Sequence, residues 1–401
     1  MLRRLFPKIA VLLSLTVLAA CGTISRPEDS PLRLSAQVWR PVEGVRIPAS
    51  DTRQIEALSA DIGQRFAATA LPPTILALSG GGANGAFGAG VVVGWTESGR
   101  RPDFAVVTGV STGALAAPFV FLGPSEDANL KAVYTGGRTR SLLRFSTVAA
   151  LVAPSLFSSR SLSGLVDDYI TPDLLARIAA EHARGRRLLI VTTNLDTQEA
   201  VIWDMGLLAT QGGPQALILF RKILIASASI PGVFPPVLIP SADEGGRGIS
   251  EMHVDGGVNT PFLAVPESLL LTTSPERAPA GTALYVLVNG QVGRDARVTR
   301  GTLPAILARS YDSMSKATIR TGLAANLAFA QRNGIRMYAA AIPDGAPASS
   351  LDFSPESMAA LFERGRALSA AGQAWRRLDG DTSLDETFET PQPASPAPPR
   401  E

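Results

Sequence analysis

The fold of this chain is decided by residues 74–85, which read TILALSGGGANG. The apolar and β-branched residues at its start predict a buried strand, and a helical run through Val91 to Trp95 follows the glycines. Glycines between a strand and a helix let the backbone turn tightly and leave the N–H groups of the helix start unobstructed. Such a loop can hold an anion, or the oxyanion that develops during acyl transfer.

The same loop fits a second interpretation, because Gly80, Gly82 and Gly85 also satisfy the G-x-G-x-x-G pattern of dinucleotide-binding proteins. Asp103 lies 18 residues after Gly85, near the position where an acid that binds ribose would be expected. The loop alone therefore leaves an acyl-transfer enzyme and a nucleotide-binding protein both open.

Short apolar strands alternate with helices along the rest of the chain. Strands are predicted at 104–108, 188–193, 201–203 and 284–288, and helices from Ala114 onward, near 217–226 and within 303–331. Strands of this kind alternating with helices are typical of a sheet that is covered on both faces. The sequence therefore predicts the α/β class, as a three-layer α/β/α fold with a mainly parallel central sheet.

A second motif, Gly109-Val110-Ser111-Thr112-Gly113, again lies between a predicted strand and a predicted helix. A serine on so sharp a turn projects its hydroxyl from the carboxyl edge of the sheet, and the flanking glycines relieve the crowding of the turn. The setting indicates a nucleophilic serine. The alternative is that Ser111 only caps the helix that follows it.

A nucleophilic serine needs a base, and the chain contains two histidines. His182 lies in a charged helix end and is predicted to be exposed. His253 lies two residues before Asp255, so on a strand their side chains would share a face, which is awkward for a relay with the histidine in the middle. Asp255 can itself be the base, because Gly256 and Gly257 let the chain turn away from it. A histidine-dependent esterase or protease using His253 stays open.

With these motifs the chain resembles the patatin-like phospholipase family from about residue 74 to residue 261, in the identity, order and spacing of the motifs. The segment ASASIPGVFPP at 226–236 is also similar to one that precedes the catalytic aspartate in that family. The resemblance implies that Ser111 attacks an ester carbonyl and that Asp255 is the sole base, with no metal and no cofactor. It assigns the oxyanion hole to Gly80, Gly81 and Gly82.

The function implied by the resemblance is a serine acyl hydrolase that cleaves fatty-acyl esters of lipids, as a phospholipase A or lysophospholipase does. Asn84 stands where many members of the family have Arg or Lys, so this position can donate a hydrogen bond but brings no positive charge to a phosphate. A membrane-anchored scaffold with idle catalytic motifs is a further alternative.

The N-terminus predicts export and a membrane anchor. Residues 1–20 have the layout of a lipoprotein signal peptide, with three basic residues before a short apolar run that ends at Cys21. Cys21 is the only cysteine and resembles the lipidated cysteine of bacterial lipoproteins; Gly22 after it favours the outer membrane. Residues 21–73 are predicted to be a tether with one docking helix at 55–70.

Composition sets the remaining expectations. With 46% hydrophobic residues and a net charge of +2, the chain is expected to be globular and to have no nucleic-acid partner. The catalytic domain is predicted at 74–375, and residues 376–401, which are rich in proline, are predicted to be a disordered tail. The histidines and the cysteine do not form a metal-ligand pattern. The oligomeric state is left open.

Overall fold

The computed structural model describes residues 41–67, 73–136, 159–242, 248–271, 278–279, 281–294 and 296–388. The predicted signal peptide, Cys21 and residues 389–401 lie outside these ranges. None of the described helices combines the length and the apolar character needed to cross a membrane.

Ten strands and twelve α-helices are described. The strands are β1 (Arg46–Pro48), β2 (Thr74–Leu78), β3 (Val106–Val110), β4 (Arg187–Asn194), β5 (Glu199–Asp204), β6 (Val237–Ala242), β7 (Gly248–Asp255), β8 (Ala283–Val288), β9 (Arg336–Ala341) and β10 (Arg376–Leu378). The helices are α1 (Thr52–Ala67), α2 (Gly85–Glu97), α3 (Thr112–Leu122), α4 (Asp127–Thr135), α5 (Ser159–Tyr169), α6 (Pro172–Ala183), α7 (Met205–Thr210), α8 (Gly213–Ser227), α9 (Glu267–Leu270), α10 (Leu303–Arg332), α11 (Pro355–Ala370) and α12 (Leu384–Phe388).

The described strands form one ten-stranded sheet in which the order β1-β5-β4-β3-β2-β8-β9-β10 is joined by the β6–β7 hairpin beside β4. Pairing is parallel from β4 through β3, β2 and β8 to β9, and antiparallel towards both edges and in the hairpin. The predicted α/β/α fold with a parallel centre is confirmed. The strand predicted at 201–203 is the antiparallel strand β5. The other antiparallel strands, β1, β6, β7 and β10, were not among the predicted strands because they are short or carry polar residues.

Alternation along the strands divides the core into two faces. Leu76 and Leu78 point to the face covered by α2 to α8 and α11, whereas Ala77 points to the opposite face. On that second face, α10 packs over β8 and β9, and α1 packs over β3 and β4. Because successive strand residues point in opposite directions, both faces of the central strands are apolar and both need helices.

The segment before the first motif is partly integrated into the fold. Helix α1 lies where a docking helix was predicted and buries Ile55 against the sheet. Residues 46–48, predicted to belong to a tether, form the edge strand β1 on β5. A three-residue strand carries too little periodicity to be recognised from sequence.

The prediction of a disordered tail from residue 376 is wrong for residues 376–388. Strand β10 extends the sheet on β9, and Phe388 of α12 is buried in the core. Asp385 accepts hydrogen bonds from Arg320 of α10. The prolines that favour disorder are concentrated after residue 390, whereas the earlier part of the tail has apolar residues that pack.

Helices α2 and α11 approach each other through glycines. A Cβ atom at Gly90 would lie 1.9 Å from the Phe362 carbonyl oxygen, and one at Gly94 would lie 2.1 Å from that of Arg366. On the facing helix, a Cβ atom at Gly365 would lie 2.2 Å from the carbonyl oxygen of Phe87. Since α2 starts directly after the glycine-rich loop, this contact fixes the helix that carries the loop.

We predict that Gly90→Ala lowers the free energy of unfolding by about 1–3 kcal/mol, because the new methyl group must push two backbones apart. In the control Gly63→Ala, at an exposed position of α1, nothing lies within 4 Å of the new Cβ. That change should raise the free energy of unfolding by about 0.4–1 kcal/mol, because alanine favours helix. Urea unfolding of both variants measures the two values, and equal effects would contradict this description of the contact.

Candidate active site

The glycine-rich loop is tied to the neighbouring strand β8. After β2 ends at Leu78, the Ser79 hydroxyl accepts a hydrogen bond of 2.8 Å from the Asn289 N–H, and the Asn289 side chain donates to the Ser79 carbonyl, also at 2.8 Å. Asn289 directly follows β8, so the loop is held at the carboxyl edge of the parallel strands. This edge is where α/β proteins place their sites.

Two residues of this loop must be glycine. Gly81 and Gly82 have φ values of 154° and 56°, in the region that other residues rarely adopt. A Cβ atom at Gly81 would lie 2.0 Å from the Asn289 carbonyl oxygen, and one at Gly82 would lie 2.2 Å from that of Ser350. Both backbone conformation and space therefore exclude a side chain.

The backbone N–H groups of the loop differ in their partners. Gly80 N–H donates to the Pro261 carbonyl at 3.0 Å, and Ala83 N–H donates to the Ser350 carbonyl at 2.9 Å. Among the hydrogen bonds of the described residues, none uses the N–H of Gly81 or Gly82. This geometry removes Gly80 from the predicted set of oxyanion donors and leaves Gly81 and Gly82. Gly80 instead faces the serine, since a Cβ there would lie 3.2 Å from Ser111 Cβ.

Ser111 occupies the sharp turn between β3 and α3. Its φ of 56° and ψ of −125° form a strained conformation for a residue with a side chain. A Cβ atom at Gly109 would lie 2.6 Å from the Gly113 carbonyl oxygen, and one at Gly113 would lie 2.5 Å from that of Leu78. The side chain of Ser111 makes no capping hydrogen bond to α3, so the alternative of a simple helix cap does not apply.

The Ser111 hydroxyl contacts Asp255. Ser111 Oγ donates a hydrogen bond of 2.5 Å to Asp255 Oδ2, and Asp255 Oδ1 accepts one of 2.7 Å from the Gly257 N–H. Both side chains are buried. Asp255 is the last residue of β7, and a Cβ atom at Gly256 would lie 2.5 Å from the Val191 carbonyl oxygen. The glycine after Asp255 thus allows the chain to pass close to β4.

Segment 226–236 holds both partners of this contact in place. Ser227 Oγ accepts a hydrogen bond of 3.0 Å from the Ser111 N–H and donates one of 2.6 Å to the Val191 carbonyl. The Ser229 carbonyl accepts a bond of 3.0 Å from the Asp255 N–H. The sequence pattern marked this segment without revealing that its serines position Ser111 and Asp255.

Burial changes the basicity of Asp255. Removal from solvent raises the pKa of its carboxyl group to about 7, against the opposing effect of the hydrogen bonds from Ser111 and Gly257. Desolvation disfavours the charged form of a carboxyl group, so its conjugate base becomes stronger. A carboxylate with a pKa near neutral pH is suited to accept a proton there.

Neither histidine contacts Ser111. The fully buried His253 ring lies between Thr192 Oγ1, 2.9 Å from Nδ1, and Glu251 Oε2, 3.1 Å from Nε2. Both ring nitrogens therefore have partners within the sheet. Glu251 in turn accepts two hydrogen bonds from Arg46 of β1. This places the His253 ring in a network that joins β1, β4 and β7.

The prediction that His182 is exposed is wrong. The end of α6 packs on α7, where Gly206 leaves room for the ring, and the side chain is buried 3.5 Å from Asp204. Burial and the neighbouring Arg187 and Arg65 lower the pKa of His182 to about 4. A charged local sequence did not reveal that this one residue faces inward.

The structure also bears on nucleotide binding and on metals. Asp103 precedes β3, so it lies near the amino end of that strand, whereas the glycine-rich loop lies at the carboxyl ends. This separation does not fit an acid that binds ribose beside the loop.

Within the described ranges, no three His, Cys, Asp or Glu residues converge in a way that could hold a metal ion.

Comparison with known proteins shows which family the part of the chain with these motifs matches. Residues 76–266 match the family model of the patatin-like phospholipases, and the glycine-rich loop, Ser111 and Asp255 all lie within this match. No curated protein sequence matches the chain. Among solved structures, VipD from Legionella pneumophila is similar over 77% of this chain and 68% of that chain, with 13% identity and a TM-score of 0.36. The chain therefore contains, at residues 76–266, a domain that matches the patatin-like phospholipase family.

Proposed function

We propose that this protein hydrolyses fatty-acyl esters of lipids with Ser111 as nucleophile and Asp255 as proton acceptor. Its family supports lipid acyl hydrolase activity. The observation that carries the finer proposal is the hydrogen bond of 2.5 Å between Ser111 Oγ and Asp255 Oδ2, in a buried site at the carboxyl edge of the sheet. A nucleophile and its base within hydrogen-bond distance are the geometric signature of covalent catalysis.

The proposed reaction proceeds through an acyl-enzyme. Ser111 Oγ bonds to the ester carbonyl carbon while its proton passes to Asp255, and the carbonyl oxygen takes up the negative charge. The N–H groups of Gly81 and Gly82 stabilise this oxyanion. When the C–O bond to the leaving alcohol breaks, Asp255 returns the proton to the alkoxide. Water then attacks the acyl group, gives its proton to Asp255, and Ser111 leaves with that proton.

The residue beside the proposed oxyanion donors bears on the head group of the substrate. Asn84 lies in the glycine-rich loop, two residues after Gly82. It is buried, and its Oδ1 has no hydrogen-bond partner among the described residues. An amide at this position can donate a hydrogen bond but brings no positive charge to a phosphate. We therefore propose acyl-ester hydrolysis, with phospholipid or lysophospholipid as the leading substrate.

The histidine-dependent alternative finds no support in the geometry, because both ring nitrogens of His253 have partners other than Ser111. The idle scaffold makes a different prediction, because a protein without turnover would hydrolyse no acyl ester.

We further propose that the protein is an exported lipoprotein, anchored through Cys21 and placed in the outer membrane. This proposal is supported by the sequence pattern around Cys21 alone.

We predict that Asp255→Asn lowers kcat on a soluble nitrophenyl ester by about 10²- to 10⁴-fold, because the amide cannot accept the Ser111 proton. The control His253→Gln keeps a polar group beside Thr192 and should retain most of kcat. Thermal unfolding of both variants confirms that they are folded. Full activity of Asp255→Asn, or an equal loss in a folded His253→Gln protein, would contradict the assignment of the base.

The raised pKa of Asp255 predicts the pH dependence. Because the carboxylate is the active form, log kcat/KM should rise with slope one as the pH approaches about 7 and level off above it. The initial rate on an ester whose leaving group does not titrate in this range gives the profile. A profile that is flat across pH 7 would contradict the assignment of buried Asp255 as the base.

The anchor proposal predicts that cells grown with an alkyne-tagged fatty acid produce a tagged protein. Cys21→Ala should abolish the tag, because Cys21 is the only cysteine. Fluorescent detection of the purified proteins after alkyne coupling makes the comparison. Equal tagging of both proteins, or an untagged wild type, would refute lipidation at Cys21.

A further inference from the structure

The two halves of the long helix α10 differ in how they pack. Its second half buries Ile319, Leu323 and Ala330, and a Cβ atom at Gly322 would lie 3.1 Å from the ring of Phe262. No described side chain at positions 303–318 is buried. At 1.5 Å of rise per residue this first half, which we call the arm, extends about 24 Å beyond the packed part of the helix.

The arm carries a stripe of exposed apolar side chains. Five large ones on the helix are more than a third exposed: Leu303, Ile306, Leu307, Tyr311 and Met314. With 3.6 residues per turn these positions fall within an arc of about 140°, while Arg309, Asp312 and Lys316 fall on the other side. Together with Val298 just before the helix, they make up six of the twelve exposed large hydrophobic residues in the described part of the chain. A concentration of this kind marks an interaction surface.

The stripe lies at the edge of the sheet that carries the Ser111–Asp255 pair. Helix α10 ends just before β9, which is parallel to β8 and β2, so the first half of the helix lies towards the carboxyl ends of these strands. Further along the helix, Gly322 packs on Phe262, and the carbonyl of the preceding Pro261 accepts the hydrogen bond from the Gly80 N–H. Two other exposed apolar residues follow site residues directly along the chain. Val258 comes after Gly257, and Leu351 comes after Ser350, whose carbonyl binds the loop. Apolar surface from three separate segments therefore borders the site.

The sign of the charge around the arm is positive. Residues 296–311 contain Arg297, Arg300 and Arg309 and no acidic residue. In the loop that leads into α10, residues 296–300 are all exposed, and Val298 stands between the two arginines. Exposed apolar side chains next to basic ones are typical of proteins that bind an anionic membrane, whose charged head groups cover an apolar interior.

We propose that the arm docks on an anionic phospholipid bilayer, with Val298, Leu303 and Leu307 entering the interface and Arg297 and Arg300 contacting the head groups. The choice of lipid as the occupant rests on the proposed function, since docking at this place brings the site to the surface that holds acyl esters. The arm adds a contact that is independent of Cys21.

Two other occupants of this surface can be considered, a second copy of the chain and an apolar segment of the same chain. The charge of the arm disfavours both. A second copy would bring another arm with the same positive sign. Apart from the predicted signal peptide, residues 137–158 form the most apolar segment outside the described residues, and they also contain three arginines and no acid. Like charges at close range repel, so neither surface complements the arm as an anionic membrane does.

The test places one fluorophore on the arm of the full chain. Cys21→Ala removes the only cysteine, Ser111→Ala prevents hydrolysis, and Leu307→Cys provides the site for an environment-sensitive thiol dye. The matched control carries Ile218→Cys instead, because Ile218 is also exposed but lies on α8, on the other side of the sheet. A label at one position reports local insertion, whatever the N-terminus does.

With phosphatidylglycerol–phosphatidylethanolamine vesicles, we expect the emission of the dye at position 307 to shift to shorter wavelengths and to be quenched by spin-labelled acyl chains. The emission of the dye at position 218 should not shift. Pure phosphatidylcholine vesicles should produce a weaker response. Arg297→Gln together with Arg300→Gln should weaken the partitioning into anionic vesicles by about tenfold or more.

Three results would overturn the proposal. One is an unchanged emission at position 307 with anionic vesicles, and another is an equal shift at position 218. The third is an emission that is already blue before vesicles are added, which would mean that another part of the chain or a second copy covers the arm. Failure of the proposed function would appear separately, as a wild-type protein that hydrolyses no acyl ester, because the labelled protein is inactive by design.

Discussion

The hydrogen bond between Ser111 Oγ and Asp255 Oδ2 requires two strand ends to meet at one point with their side chains buried. Much of the surrounding structure serves this requirement. The backbone of Ser111 is held in a conformation that costs free energy, and the loop glycines avoid side chains that would collide with Asn289 and Ser350. Ser227 and Ser229 then bind the backbone on either side of the contact.

Burial gives this contact its chemical character. A solvated carboxylate is a poor base for a serine hydroxyl, and the removal of Asp255 from water moves its pKa towards neutral pH. Ser111 and Asp255 are both buried, so in the proposed function a lipid reaches them from the carboxyl edge of the sheet, where the glycine-rich loop lies. The apolar residues that border the site and the arm of α10 lie on that side. Chemistry and membrane docking would then depend on one edge of the sheet.

The sequence was informative where a short segment determines its own structure. Strands β2 and β3 are apolar runs followed by glycine turns, so their positions and those of Ser111 and Gly82 followed from local patterns. Asp255 could be named because few bases were available and because Gly256 and Gly257 follow it. Long-range contacts were not readable: the bond from Ser111 N–H to Ser227 joins residues 116 positions apart. The loss of Gly80 as a donor likewise depends on Pro261, far along the chain. Residues 376–388 were wrongly predicted to be disordered, because their few apolar side chains are stabilised only by contacts with distant parts of the fold.

The central claim is that Ser111, activated by Asp255, forms a covalent bond with the substrate. The most direct measurement treats the purified protein with an alkyl fluorophosphonate and identifies the modified peptide by mass spectrometry. We expect one adduct, on Ser111, formed much more slowly in the Asp255→Asn protein. An adduct on a different serine, or the absence of any adduct in a preparation that hydrolyses esters, would contradict this mechanism.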